Sequence, residues 1–435
     1  MPNPILPLWE YIPDGEPRVF GDRVYLYGSH DRVSGEAFCD FKLKVWSASV
    51  KNLNDWQCHG VSFRTRPFPG DAPWTDHELY APDVVEKDGK YYLYAYIVGA
   101  KGAVGVADSP AGPFRLLGQY QYEDTDAGDD GIFNDAGVLC DDDGRVYVYY
   151  GFEGSHMNEL DPKQMNRVLP GSRIDHVMDD RQEVPPEQRF YEASSPRKIG
   201  SLYYLIYSPR RGSRLAYATA PSPTGPFTYR GYIIDNGVDY PAGNNHGSLA
   251  RINGQWYVFY HRMTNGSITS RRACVEKIRI LPDGSIPAVE MTSLGFEDAL
   301  NPFKPTPAEI ACVLKGGCFI TEKDPFTRVI TGIRDGSVMG YKYFDFGQDH
   351  TGNPMTAAFR VQGCGVNCRL RIFSDEKEIG ACQIGAGDGV YRAKVENVTG
   401  RHALYLIAEH KVEGWMGQFF EGRQLFELKE FVFMK

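Results

Sequence analysis

A chain of 435 residues is long enough for two folded units rather than one. Its 27 Tyr, 24 Phe, 47 Gly and 28 Pro mark a turn-rich β protein. A formal net charge of −9 argues against nucleic acid or an anionic membrane as partner, because both need a concentrated basic face.

The opening MPNPILPLWEYIPDGEP has neither a charged n-region nor a long apolar h-region, so it does not read as a signal peptide. No apolar run approaches the length of a membrane span. Nine cysteines with no paired CxxC read as free thiols, and the expected location is the cytoplasm.

One aromatic strand then recurs five times: RVYLYGSHD at Tyr25, KYYLYAY at Tyr92, RVYVYYG at Tyr147, LYYLIYS at Tyr204 and QWYVFYH at Tyr257. The spacings are 67, 55, 57 and 53 residues. Self-similarity of this period in an all-β chain predicts a five-bladed β-propeller over residues 1–295, one blade per repeat. Turn clusters at 108–114, 141–145 and 220–227 separate its strands. Residues 296–309, rich in proline and without alternation, read as a linker. From 310 to 435 new alternating segments (TAAFRVQG, CRLRIFSDEKEIG, HALYLIAEHK, LFELKEFVFMK) predict an antiparallel β-sandwich of jelly-roll type.

Four acids precede repeated strands: Asp14, Asp83, Asp135 and Glu192. The first strand of a blade lines the propeller axis, so Asp14, Asp135 and Glu192 are expected to converge on one cavity, with Asp83 a fourth member. Paired carboxylates about 6.5–9.5 Å apart hydrolyse glycosidic bonds with inversion, one donating a proton and the other activating water. A third carboxylate raises the donor's pKa by repulsion. The DDDG turn at Asp141–Asp143 reads instead as a solvated hairpin tip. Trp74, in the loop before the second blade, is the aromatic candidate for stacking on a sugar ring.

Residues 1–295 resemble glycoside hydrolase family 43, five-bladed propeller enzymes acting on arabinose- and xylose-containing polysaccharides. PDGEPRVFGDRVYLYGSHD is similar to the stretch bearing the general base and implies Asp14; FNDAGVLCDDDGRVYVY implies Asp135 as the residue that tunes the acid; FYEASSPRKIGSLYYLIYS implies Glu192 as the acid. GNNHGSLARINGQWYVFYHR resembles the segment whose His holds a central ion, often calcium through waters, implying His246 and one structural Ca2+. SRRACVEKI implies Arg271 as a contact to substrate or acid. The base segment departs from the usual pattern, leaving Asp14 or Glu16 as the base, with Asp14 favoured by gapless register.

The C-terminal unit resembles carbohydrate-binding module family 6. Its segment DGVYRAKVENVTG carries Tyr391 where binding members have Trp, and Trp415 is the only Trp of this unit, which favours a buttress over a binding platform. The resemblance implies release of terminal α-L-arabinofuranosyl, or second β-D-xylosyl, groups from hemicellulose-derived oligosaccharides. The alternatives are exo-acting galactan cleavage within the same family and a catalytically silent sugar-binding propeller. Fructosidase and sialidase propellers are disfavoured, since NDPNG and SxDxGxxW motifs are missing.

Overall fold

The computed structural model describes the chain except for residues 34, 124–125, 127–131, 349–353, 413 and 420. Each repeated segment is the second strand of an antiparallel meander: Arg23–Tyr27, Lys90–Ile97, Val146–Tyr150, Leu202–Pro209 and Gln255–Thr264. The first strands are Glu16–Phe20, Leu79–Lys87, Gly137–Cys140, Phe190–Ile199 and Ser248–Ile252. The fifth sheet has three strands, ending with Ser267–Ile278. The N-terminal segment completes it. Ile5 N–H donates to Ala273 O at 3.0 Å, and the Asn3 side chain exchanges bonds with Val275 N–H and C=O at 2.9 Å each. Gly15 and Gly247 bridge in parallel beside this seam, closing the ring between blades one and five.

Strand alternation explains why aromatics recur. Successive side chains point to opposite faces, so a strand buried on both sides needs apolar residues at every position. Tyr25 and Tyr27 pack against Val84 and Leu93 of blade two, whereas Val24 and Leu26 pack against Tyr257 and Phe259 of blade five. Tyr94 meets Val138 and Val148; Tyr147 and Tyr149 meet Leu205; Tyr204 lies in the cluster that holds Leu249 and Val258. Every interblade core is built this way.

Register fixes the depth of each first-strand residue along the axis. Two residues past the repeated Tyr, the second strands lie opposite Glu16, Asp83, Gly137, Ser195 and Ser248. These five share one level. Two residues earlier in each first strand come Asp14, Ala81, Asp135, Ala193 and His246, one step nearer the open face. Four of them take left-handed backbone angles, with φ of 55° at Asp14, 29° at Ala81, 46° at Asp135 and 70° at Ala193. Such angles are costly without glycine; at Ala81 and Ala193 they coincide with shifts of the ladder between Tyr80 and Asp83 and between Glu192 and Ser195. Gly137 is needed for another reason: a Cβ there would lie 2.2 Å from Ser194 O, where blades three and four touch.

The C-terminal unit is a sandwich of two antiparallel sheets, ordered Phe319–Asp324, Thr327–Thr331, Phe426–Met434, Met355–Gly363, Gly389–Val395 and Val313–Lys315, Val338–Asp345, Arg401–Glu409, Cys368–Ser374, Lys377–Ile384. Tyr341, Phe344, Phe359, Phe431 and Phe433 fill the space between them. The sandwich core is continuous with the core between blades four and five. The seam is polar as well: Tyr11 Oη donates to Glu322 Oε2 at 2.6 Å and accepts from Arg328 Nη2 at 3.0 Å. All nine cysteines are free. Among the described residues, no helix is long and apolar enough to cross a membrane.

Candidate active site

The upper ring opens into a pit of about 300 Å³. Blade one contributes Asp14, blade three Asn134 and Asp135, blade four Glu192, and blade five His246 and Arg271. Tyr80, Tyr96, Phe38 and Phe152 complete the wall. Asp14, Asp135 and Glu192 thus share one hollow, although 178 positions separate the first from the last.

Asp14 is held on every side. Oδ1 accepts from Arg271 Nη1 at 2.8 Å, Oδ2 accepts from Ser29 Oγ at 2.7 Å, and its backbone N–H donates to His261 Nδ1 at 3.3 Å. Arg271 is itself clamped by Asp31, through Nε and Nη2 at 2.9 Å each, and rests on the Phe38 ring at 4.8 Å. Burial pushes the Asp14 carboxyl up, but the Arg271 guanidinium above all, with the Ser29 hydrogen bond, outweighs it and holds the group below the usual range. Asp14 is therefore a carboxylate at neutral pH.

Glu192 sits in the opposite regime. Burial, then the negative charge of Asp14, push it from 4.5 to about 7, against the pull of Arg271. Asp135 is pushed well above its ordinary value by burial, then by Glu192 and Asp14. The upward pressure on Glu192 thus comes from burial and Asp14, while Asp135 is itself raised by Glu192. Neighbouring carboxyls of this kind titrate as a pair, and the second ionisation is the harder one. His246 Nδ1 lies 3.9 Å from both Asp14 Oδ1 and Asp135 Oδ2, and burial lowers its pKa, keeping the imidazole neutral.

Three residues considered for the site lie elsewhere. Asp83 is not a fourth member of the acid group; it occupies the lower ring with Glu16. Arg18 grips it through Nε at 3.0 Å and Nη2 at 2.6 Å, and Val138 N–H donates to it at 2.8 Å. Glu16 likewise faces inward below the pit. It is ion-paired with Arg197 and accepts from Ser195 Oγ at 2.9 Å. Arg197 also donates to Leu249 O at 3.0 Å and Pro17 O at 3.2 Å, so this ionic lattice joins all five first strands beneath the pit. Trp74 does not stack over the opening. Its loop folds back, with Nε1 donating to Lys101 O at 3.1 Å and the ring packed on the core between blades one and two.

Ser29, Asp31, Tyr96 and Phe152 were absent from the sequence-derived site. Their signal was antiparallel pairing. The end of a second strand lies beside the start of the first, so residues just after the repeated Tyr must border the same opening as Asp14 and Asp135.

The donors around His246 do not make a protein-ligated calcium site. Calcium takes six to eight oxygens, and no cluster of three or more His, Cys, Asp or Glu ligands occurs among the described residues, so an ion beside His246 would draw most of its oxygens from water. Positive charge already comes from Arg271 at the pit and from Arg18 and Arg197 beneath it.

A β-propeller that gathers carboxyls of opposed pKa into one sugar-sized pit has the parts a glycoside hydrolase needs. Residues 1–286 match the model of glycosyl hydrolases family 43, and the chain belongs to that family. A xylosidase/arabinosidase of Thermoclostridium stercorarium is 40% identical over 400 residues, covering 79% of this chain and 82% of that protein. A solved β-xylosidase/α-arabinofuranosidase from a compost metagenome, in complex with xylotriose and calcium-free, is 28% identical. It has a TM-score of 0.55 and covers 67% of this chain and 99% of its own. An arabinoxylan arabinofuranohydrolase from Bacillus subtilis, 23% identical, shares the fold over 100% of this chain and 97% of its own, with a TM-score of 0.55.

Proposed function

We propose that the enzyme removes terminal α-L-arabinofuranosyl groups, with β-D-xylosyl as the second choice, from hemicellulose-derived oligosaccharides by an inverting mechanism. The observation that carries this reading is the opposed tuning of two carboxyls in one pit: Asp14 ionised against Arg271, Glu192 raised to about 7. Such a split assigns base and acid. Glu192 donates a proton to the leaving oxygen while Asp14 takes one from the attacking water. Asp135 shares the proton load with Glu192, so that the pair keeps a proton at neutral pH. A pit of about 300 Å³ is at the small end of ligand sites and suits a single terminal sugar, which supports exo action or debranching.

The test is proton NMR of fresh hydrolysate from an arabinosylated xylo-oligosaccharide. Free arabinose should appear first as the anomer opposite to that of the substrate. Initial release of the same anomer rejects inversion, and release of galactose alone, from galacto-oligosaccharides, replaces the substrate assignment.

In this reading the cation duties are met by arginines, and His246 acts as a neutral spacer between Asp14 and Asp135. Dialysis against EDTA should therefore leave both the thermal midpoint and kcat unchanged, and calcium should restore nothing. A midpoint that falls on chelation and recovers with calcium rejects the arginine substitution. Residues 1–295 carry the chemistry in this proposal, while residues 310–435, akin to carbohydrate-binding module family 6, brace blades four and five through a shared core. The nine free thiols fit a reducing cytoplasm.

A further inference from the structure

The pit has a sided mouth. Its Asp14 wall is closed by Arg271, Asp31 and Phe38, whereas its Glu192 wall rises to an exposed aromatic lip. Phe152, which lines the pit, is 52% exposed. One side of the ring meets Tyr191 at a centroid distance of 4.8 Å and an interplanar angle of 52°. Tyr191 immediately precedes Glu192 and is braced from behind by Arg210, whose guanidinium carbon lies 4.8 Å from the ring centroid.

The lip is built. Glu153 N–H donates to Tyr191 O at 2.7 Å, stitching the end of the second strand of blade three to the strand that bears Glu192. The Glu153 side chain is ion-paired with Arg210. Gly151, with φ of 142°, makes the turn possible, because a Cβ there would fall 1.9 Å from Gly154 O. Glu153 accepts a left-handed φ of 64° in the same turn. Strained backbone, a cross-strand bond and an ion pair together hold an apolar ring out in water beside the group that meets the leaving oxygen.

The geometry points to Phe152 and Tyr191 as the platform for the leaving-side sugar, a pyranose ring of the chain from which the terminal residue is cut. The inference rests on Glu192 being the proton donor. A donor touches the leaving oxygen, so the rest of the substrate must depart along the Glu192 wall and over this lip. A pyranose presents an apolar C–H face that stacks on an aromatic ring. A xylopyranose, with no exocyclic carbon, lies flat on it. The pit selects the sugar that is released, and the lip selects what it is released from.

The experiment compares two substrates with the same released sugar: an arabinosylated xylotriose, and methyl α-L-arabinofuranoside, whose leaving group has no ring. In Phe152→Ala the ratio of kcat/KM for the oligosaccharide to that for the methyl glycoside should fall about 10-fold or more, mainly through KM. Phe152→Trp should restore the ratio. Arg210→Ala should lower it by a smaller factor, because Tyr191 loses its brace. Equal losses on both substrates, or an unchanged ratio, overturn the platform. Failure of the Glu192 assignment shows separately, as wild-type rates on both substrates in Glu192→Gln.

Discussion

Glu192→Gln is expected to slow release of arabinose from an unactivated oligosaccharide by about 10²–10⁴-fold, the usual contribution of a positioned general acid. The same change should cost far less on a 4-nitrophenyl glycoside, whose leaving group departs without a proton. Asp14→Asn should depress both substrates alike, because water activation is needed whatever leaves. The pH profile adds an independent check. Wild-type activity should fall as pH rises past about 7, when Glu192 loses its proton, while the acid limb follows Asp14 and lies below the ordinary carboxylate range. In Glu192→Gln the alkaline limb should vanish. Its survival with the same midpoint would hand the acid role to Asp135.

The same shift has a consequence for stability. Burial raises Glu192 in the folded state, so the stability it lends is complete below its ordinary 4.5 and is lost as pH climbs to about 7. Above that point the folded protein is less stable than in acid by an amount that belongs to the Glu192–Asp135 pair together. Glu192→Gln should therefore raise the thermal midpoint at pH 8 and leave it nearly unmoved at pH 4. An enzyme that keeps an acid protonated in a buried pit stores instability there, and the inactive variant releases it.

The ring was legible because a strand buried on both faces must carry a dense apolar phrase, and that phrase recurred once per blade at Tyr25, Tyr92, Tyr147, Tyr204 and Tyr257. Depth along the axis was legible too, but only by counting. Asp14, Asp135 and Glu192 stand 11, 12 and 12 residues before their repeated Tyr, whereas Asp83 and Glu16 each stand nine before theirs. Between Asp14 and Glu16 that difference is two residues, one step along the same face to the level where Arg18 and Arg197 wait; at Glu192 the extra residue is taken up by the ladder shifts between Phe190 and Ser195. Trp74 had no such ruler, since it sits in a loop without periodicity. The closure by Asn3 and Ile5 left no local trace, because its partners Ala273 and Val275 are some 270 residues away.

Asp83→Ala should lower stability by about 3–5 kcal/mol, the cost of leaving a buried charge without its partner, and shift the thermal midpoint down by several degrees. Arg18 would then be sealed beneath the pit with only Glu16 at 3.5 Å and one carbonyl to answer it. Asp83→Asn should cost less, since an amide oxygen still accepts from Val138 N–H and from the guanidinium. The pair Arg18→Met with Asp83→Ala should lose less than the two single changes added together, because neither charge is then stranded. Throughout the series KM should hold steady, for Asp83 lies one level below the sugar. A large rise in KM at an unchanged melting point would return Asp83 to the pit and would undo the two-level arrangement of the axis on which the separation of chemistry from structure depends.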